Sequence, residues 1–251
     1  MHAWSIAIGS SETRIPISSI QGSSAFAQQE RCDVNQELAM AVNGTAVANI
    51  AESAKEQDAT FIHISTDNVF AGDMPVDKIY SEDMEPNPVS AYGRTKLVGE
   101  ENAAKAEKYY ILRTAWLYGL GGKNFVKTML RLSQDRDELT VVDDQHGSPT
   151  STTTLCKIIE GIMEIEHEYG VYHSTNEGFT TWCKFTRKIF ELAGISTNVK
   201  AITSKEYKEM YPQSSDRPKN SQLSKDKLKN IGIVPEAWEK ALEENLKEEL
   251  K

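Results

Sequence analysis

Two side chains four residues apart, Tyr92 and Lys96, have the types and spacing that proton transfer to a carbonyl oxygen needs. The segment from Ala91 to Ala106 is rich in Ala, Glu and Lys and lacks proline, which predicts a helix. Positions i and i+4 share one helical face, so the ammonium should lie near the phenol. A nearby cation should lower the tyrosine pKa from its usual value of about 10. Tyr92 is therefore a candidate general acid that protonates a carbonyl oxygen as hydride arrives.

A candidate polarising hydroxyl, that of Thr66, precedes this helix. The short apolar segment from Phe61 to Ser65 predicts a β-strand that ends at Thr66 and Asp67. In open α/β sheets, ligands bind beyond the carboxyl ends of the strands, where this hydroxyl could hydrogen-bond the reacting carbonyl. Each pattern is common by chance when alone. Their order and separation, with Ser90 just before the tyrosine helix, favour one catalytic site.

Longer segments carry a family resemblance. In order, they are Ser65-Thr-Asp-Asn-Val-Phe70, Pro88-Val-Ser-Ala-Tyr-Gly-Arg-Thr-Lys-Leu-Val-Gly-Glu100, Arg113-Thr-Ala-Trp-Leu-Tyr-Gly119, Asn124-Phe-Val-Lys-Thr-Met-Leu130 and Asp144-Gln-His-Gly-Ser-Pro-Thr150. With them the chain resembles the dTDP-4-dehydrorhamnose reductase family, a branch of the extended short-chain dehydrogenases. The resemblance runs from about Cys32 to the C-terminus.

The resemblance implies a Rossmann-like domain that binds NADPH or NADH and a smaller C-terminal part that binds a nucleotide-sugar. The implied reaction reduces the 4-keto group of dTDP-4-dehydro-6-deoxy-L-mannose to give dTDP-L-rhamnose. Thr66, Tyr92 and Lys96 fall on the family's catalytic positions. Asp67 and Trp116 fall on positions that resemble sugar contacts.

Two substrate contacts also have a physical rationale, and each has a structural alternative. The indole face of Trp116 could pack on the apolar face of a deoxysugar, or the residue could be a core tryptophan at a strand end. Arg217 could bind the substrate diphosphate in a bidentate fashion, or it could be an ordinary exposed loop arginine.

Alternating predicted elements indicate the fold class. A helix over Asn35–Gln57, strands near 61–65, 110–114 and 139–142, and a helix from Asn124 to about Gln134 predict a Rossmann-like, doubly wound parallel sheet. Further helices are expected over 152–165, 181–193, 204–211 and 225–230 and after Pro235. We predict a dinucleotide-binding domain over residues 1–142 and a nucleotide-sugar-binding part over residues 143–251.

The N-terminal segment departs from the expected pattern. A Rossmann domain starts with a strand, a glycine-rich turn and a helix that holds the pyrophosphate. Here the first glycines are Gly9, Gly22 and Gly44, and none lies in such a pattern. Trp4–Ile8 predicts a first strand, but Glu12–Ile17 contains a proline and is too short for the helix. We therefore expect a family member whose first βαβ unit is lost or replaced, with weakened cofactor binding and an unpaired sheet edge.

The expected cofactor contacts follow from the same segment. Ile15–Ile20 predicts the strand before the Asn35–Gln57 helix, and the small residues Gly22 and Ser23 that follow would let a cofactor approach closely. With Ser65, Tyr92 and Lys96 they form the predicted cofactor-binding set. Two alternatives to an active reductase stay open: a non-catalytic, reductase-like regulatory or binding subunit, and an incomplete family member without activity.

Composition limits the remaining possibilities. The 251-residue chain carries a net charge of −9, which argues against general nucleic-acid binding. No apolar run approaches the roughly 18–20 residues that span a membrane, and no signal-peptide pattern is seen. Three scattered cysteines predict a reducing, cytoplasmic location, and the histidine spacing predicts no metal site. A homodimer is plausible because of the C-terminal helix and the expected bare sheet edge.

Overall fold

The computed structural model describes residues 4–8, 20–21, 29–164 and 167–251, with the backbone alone before residue 32. The chain forms two compact units. The first unit comprises residues 1–71, 81–114 and 166–173, and the second comprises residues 72–80, 115–165 and 174–251. These units are defined by packing and not by ligand binding, so the functional division at residues 142 and 143 stays a prediction.

The strands of the described residues are β1 (Trp4–Ile8), β2 (Ile20–Gln21), β3 (Thr60–Thr66), β4 (Tyr109–Thr114), β5 (Leu117–Tyr118), β6 (Glu138–Val142), β7 (His146–Gly147), β8 (Thr150–Ser151), β9 (Gly170–His173), β10 (Thr180–Thr181), β11 (Asn198–Ile202) and β12 (Asn220–Ser221). The α-helices are α1 (Gln29–Val34), α2 (Gln36–Met40), α3 (Ala46–Glu56), α4 (Ala91–Ala103), α5 (Phe125–Leu132), α6 (Thr152–Glu164), α7 (Trp182–Ala193), α8 (Ser204–Met210), α9 (Asp226–Asn230) and α10 (Trp238–Glu249). A π-helical turn (Ala41–Thr45) joins α2 to α3, and 3₁₀ turns occupy Asp67–Val69 and Ala104–Ala106.

The first unit is built on a five-stranded sheet with the order β2-β1-β3-β4-β9. β3, β4 and β9 are parallel, with Thr66 beside Thr114 and Arg113 beside His173. The interior residues of β3 and β4 are buried and mostly apolar, as expected of parallel strands covered on both faces. This α/β arrangement with a parallel core confirms the predicted fold class.

The edge of β3 that the sequence led us to expect bare is covered by β1. β1 runs antiparallel to β3, with Ser5 opposite His63 and Ile8 opposite Thr60. β2 pairs antiparallel with β1 and therefore runs in the same direction as β3. The strand predicted over Ile15–Ile20 is described at Ile20 alone, since residues 9–19 lie outside the described part of the chain.

The predicted strand near residues 139–142 exists, but it does not close the main sheet. As β6 it pairs in parallel with β11 in a separate two-stranded sheet of the second unit. Its buried side chains, Leu139 and Val141, pack in that unit's core with Tyr118, Phe185 and Ile189. The main sheet is extended instead by β9.

The predicted helices are confirmed, and α5 and α7 have side-chain caps at their N-termini. Asn124 accepts a hydrogen bond from the main-chain N–H of Lys127 at 3.1 Å, and Thr181 caps α7 in the same way. Gly194 ends α7 in the left-handed conformation, with a φ of 67°. No helix of the described residues has both the length and the apolar character needed to cross a bilayer.

Candidate active site

The tyrosine helix α4 is fixed against the turn that follows β3. The Ser90 hydroxyl accepts a hydrogen bond from the Gly93 N–H at 3.0 Å and caps the helix. A Cβ at Gly93 would lie 2.1 Å from the main-chain oxygen of Asn68 and 2.9 Å from Pro88 Cβ. Glycine therefore permits the first turn of α4 to touch the end of β3, which brings Tyr92 to Thr66.

Thr66 and Asp67 form a buried, hydrogen-bonded pair at the carboxyl end of β3. The Thr66 hydroxyl donates to Asp67 Oδ1 at 2.9 Å and accepts from the Asn68 N–H at 3.2 Å. The Asn68 amide also donates to Asp67 Oδ1, at 3.0 Å. The proton of the predicted polarising hydroxyl thus points to Asp67, and it has to turn away from Asp67 to reach a substrate carbonyl.

The pKa of Tyr92 moves opposite to the sequence-based expectation. Burial raises the pKa of the phenol above its usual value, and the charge of Asp67 raises it further, while a hydrogen bond with Thr66 lowers it. The expected lowering by Lys96 is not seen, because burial dominates and the Lys96 ammonium is directed to His63 and Ile64 on β3. Tyr92 is therefore fully protonated near neutral pH, the form that a general acid needs.

Lys96 is buried, and its ammonium contacts β3. Nζ donates to the main-chain oxygen of Ile64 at 2.7 Å and lies 3.4 Å from Nε2 of His63. Burial lowers the pKa of Lys96 to about 8, although the negative charge of Glu100 raises it. Lys96 can therefore hold or lose its charge near working pH.

Ser65 joins a buried ionic network. Its hydroxyl donates to Glu100 Oε1 at 2.5 Å, and Glu100 receives two parallel hydrogen bonds from Arg113, at 3.0 and 2.7 Å. The guanidinium also lies over the ring of Phe70, 5.0 Å from its centroid. Because the Ser65 hydroxyl is committed to Glu100, a cofactor contact by Ser65 would come from its main chain.

Trp116, in the second unit, is tightly constrained. Its φ of 49° is in the left-handed region, which is uncommon for a bulky residue. Its ring stacks on Trp182, with centroids 3.6 Å apart. A Cβ at Gly147 would lie 2.7, 2.9 and 3.0 Å from Cε2, Cζ2 and Nε1 of the indole, so Gly147 packs against a ring face. Trp182 and Gly147 thus occupy the two faces of the Trp116 ring. Trp116 is therefore better placed to donate a hydrogen bond from Nε1–H to a ligand than to stack on one.

The other predicted contacts are placed as follows. Arg217 is exposed on the irregular segment before β12, in the second unit. Gly22 and Ser23 lie outside the described residues. The structure thus brings Ser65, Thr66, Asp67, Tyr92 and Lys96 together in the first unit and places Trp116 and Arg217 in the second.

Residues at the carboxyl edge of the sheet suit a dinucleotide. Within the described residues, two acceptors engage the three N–H donors of Lys96, which leaves one donor for a ligand hydroxyl. The Thr114 hydroxyl, beside Thr66 at the end of β4, is buried and has no hydrogen-bond partner among the described residues. NADPH or NADH would supply the hydride at such a site, and Lys96 and Thr114 are candidates to hold it.

Three residues of this site are not predicted as functional from the sequence: His63, Glu100 and Arg113. A histidine within an apolar strand is typical of a core residue, and Glu100 and Arg113 stand out only as parts of family segments. A charged residue one turn after Lys96 is a usable signal, because i and i+4 lie on one helical face. Its partner on β4 cannot be found from local spacing.

Comparison with known proteins agrees with the resemblance found in the sequence. A family model described as the RmlD substrate binding domain matches residues 13–251. The spore coat polysaccharide biosynthesis protein SpsK of Bacillus subtilis is 37% identical over 91% of this chain and 78% of its own length.

Two solved structures are similar over about nine-tenths of this chain. A dTDP-4-dehydrorhamnose reductase from Clostridium acetobutylicum superimposes with a TM-score of 0.85 at 38% identity, covering 90% of this chain and 79% of that one. The dTDP-4-dehydrorhamnose reductase of Bacillus anthracis, solved in complex with NADP, gives 0.82 at 36% identity, covering 89% and 78%. On sequence and on structure, this chain belongs to the RmlD substrate binding domain family.

Proposed function

We propose that this chain is a reductase that uses NADPH or NADH to reduce the 4-keto group of dTDP-4-dehydro-6-deoxy-L-mannose to dTDP-L-rhamnose. The observation that carries the proposal is the cluster of Thr66, Tyr92 and Lys96 at the carboxyl end of β3. The chain that holds this cluster is similar to two solved dTDP-4-dehydrorhamnose reductases. The product would be a precursor for polysaccharide synthesis.

Tyr92, Thr66 and Lys96 have separate roles in the proposed reaction. As hydride reaches C4 of the sugar, the C4–O4 π bond breaks and O4 takes the proton of the Tyr92 phenol. The Thr66 hydroxyl, whose one proton is donated to Asp67 Oδ1 in this structure, turns that proton to O4 and stabilises its developing charge. The Lys96 ammonium, with one N–H donor left for a ligand, is proposed to hold a cofactor hydroxyl and to supply positive charge at the site.

The substrate contacts predicted from the sequence stay proposals. Asp67 is proposed to accept a hydrogen bond from a sugar hydroxyl. In the second unit, Trp116 is proposed to contact the deoxysugar and Arg217 the diphosphate, where a guanidinium can make paired hydrogen bonds. A cytoplasmic location and a homodimer also remain proposals; Cys156 and Cys183 are free thiols, which suits a reducing compartment.

Fluorescence titration of the intact chain with NADPH, then NADH, tests the proposal. NADPH is the first probe because the Bacillus anthracis relative was solved with NADP. We expect micromolar binding, and turnover when the keto-sugar is added. Tyr92→Phe should lose turnover and still bind the cofactor, with a modest loss of affinity, because it keeps the ring and removes the hydroxyl and its proton. Binding without turnover would favour a non-catalytic subunit, and no binding up to millimolar cofactor would favour an incomplete member.

A further inference from the structure

His63 occupies an unusual position for a histidine. It lies in the middle of β3, only 2% exposed, on the strand that ends at Thr66. Its Nε2 lies 3.4 Å from Nζ of Lys96, and the same ammonium donates to the main-chain oxygen of the next residue, Ile64, at 2.7 Å. Two consecutive residues of one strand thus hold the lysine.

The protonation state of this histidine follows from its surroundings. Burial holds the pKa of His63 well below its usual range, and the charge of Lys96 lowers it further, so the imidazole is neutral. An ammonium has three donors and no acceptor. Nε2 must therefore accept the hydrogen bond, which assigns the ring proton to Nδ1.

A glycine one turn beyond Lys96 makes room for the imidazole. A Cβ at Gly99 would lie 3.2 Å from His63 Nε2 and 2.3 Å from the main-chain oxygen of Asn43. Any side chain there would push α4 away from the π-helical turn that carries Asn43, and it would also crowd the imidazole. The glycine therefore allows the imidazole to lie against α4, next to Lys96.

We propose that His63 is a positioning residue for Lys96. Its neutral imidazole accepts a hydrogen bond from one N–H of the Lys96 ammonium, and the Ile64 carbonyl accepts from a second. The third N–H is left for the ligand at the active site. This role rests on the proposed function. Besides His63 on β3, the titratable groups that act on the ammonium are Glu100 on α4 and Cys32 on α1. His63 favours the charged lysine by accepting from it without competing charge.

Two substitutions separate the hydrogen bond from packing. His63→Gln keeps an acceptor near the position of Nε2, and His63→Leu removes it at comparable volume. A hydrogen bond to a charged group contributes about 1.5–3 kcal/mol, so His63→Leu should lower kcat/KM about 10- to 100-fold. It should also move the alkaline fall of the pH profile to lower pH. The glutamine variant should recover most of both losses; equal defects in the two variants would overturn the proposal.

NMR gives a readout that does not depend on turnover. ¹⁵N spectra of the histidine rings in the unmodified chain should show His63 with a protonated Nδ1 and an unprotonated Nε2. ¹³C spectra of the lysine Cε should show Lys96 titrating at lower pH in His63→Leu than in the parent. A proton on Nε2, or an unchanged Lys96 titration, would contradict the proposal. If both results are as expected while the keto-sugar is not reduced, the proposed function fails and the positioning role stands.

Discussion

The indole rings of Trp116 and Trp182 lie nearly parallel, with their planes 13° apart. Phe125 packs on Trp182 in turn, at a centroid distance of 4.4 Å, and Trp182 joins the core of the second unit through Phe185. The core of the unit is thus connected directly to a candidate sugar contact. Trp116 is held by packing, which explains how a bulky residue can keep a left-handed backbone conformation.

Replacing Trp182 should affect substrate binding through Trp116. An aromatic pair contributes about 0.5–1.5 kcal/mol beyond area burial, so Trp182→Leu should raise KM for the nucleotide-sugar about two- to tenfold with kcat largely unchanged. Circular dichroism should lose the signal of the stacked indoles. Phe125→Leu is the matched control, because it removes a neighbour of Trp182 and leaves the indole pair intact. A KM that changes equally in both variants would argue against the role.

Gly147→Ala should disturb the indole of Trp116 on the face opposite Trp182. The added methyl would lie within 3 Å of the indole, and overpacking of this kind costs about 1–3 kcal/mol. The urea midpoint should fall, and KM should rise. Gly121→Ala adds a methyl where nothing lies within 4 Å, and it should leave both quantities unchanged. Equal effects of the two substitutions would contradict the packing argument.

The Glu100–Arg113 pair should be costly to break from one side. Both side chains are almost completely buried, at 5% and 3% exposure, so Arg113→Met leaves an uncompensated carboxylate and should lower the free energy of unfolding by about 3–5 kcal/mol. Replacing both residues with Met should cost less than the sum of the single changes. The surface pair Lys55–Glu107 provides the control: its loss should cost at most about 1 kcal/mol. Additive effects at Glu100 and Arg113 would refute the coupling.

Activity should fall as pH rises through about 8, because the buried Lys96 ammonium loses its proton there. The raised pKa of Tyr92 keeps the phenol protonated over this range, so the fall belongs to the lysine. A pH series of kcat/KM checks this. Lys96→Met should lose most activity, and its residual activity should lack the fall. If the residual activity of Lys96→Met still fell near the same pH, the fall would belong to another titratable group.

Stability should follow the opposite trend. The pKa of Lys96 is about 8 in the folded chain and 10.5 for an unperturbed lysine, so the unfolded chain binds more protons between these pH values. The lysine's contribution to the free energy of unfolding therefore rises with pH over that window, by up to about 3 kcal/mol. Denaturant unfolding at pH values of about 8 and 10.5 should show this rise in the parent chain and lack it in Lys96→Met.

Local signals predict the helix and the strand that carry the candidate catalytic residues. Proline-free helical composition and a serine cap locate α4, and an apolar run locates β3, because both depend on neighbours in sequence. Strand partners depend on distant residues, so the sequence pattern places β6 in the main sheet where the structure has β9. Helical spacing predicts a lowered pKa for Tyr92. The shift is upward instead, because it is determined by burial, which only the packed structure reveals.

The direction of β1 decides where a phosphate-binding turn could work. Its last residue, Ile8, lies opposite Thr60, which is about 20 Å along β3 from Thr66 at about 3.3 Å per residue. A turn placed directly after Ile8 would lie at the end of the strands opposite to that of a nucleotide bound near Thr66. β2 runs the other way, and Gln21 lies opposite Trp4. A protein engineer who wished to graft a glycine-rich turn into this chain should therefore place it after β2 and leave β1 as it is.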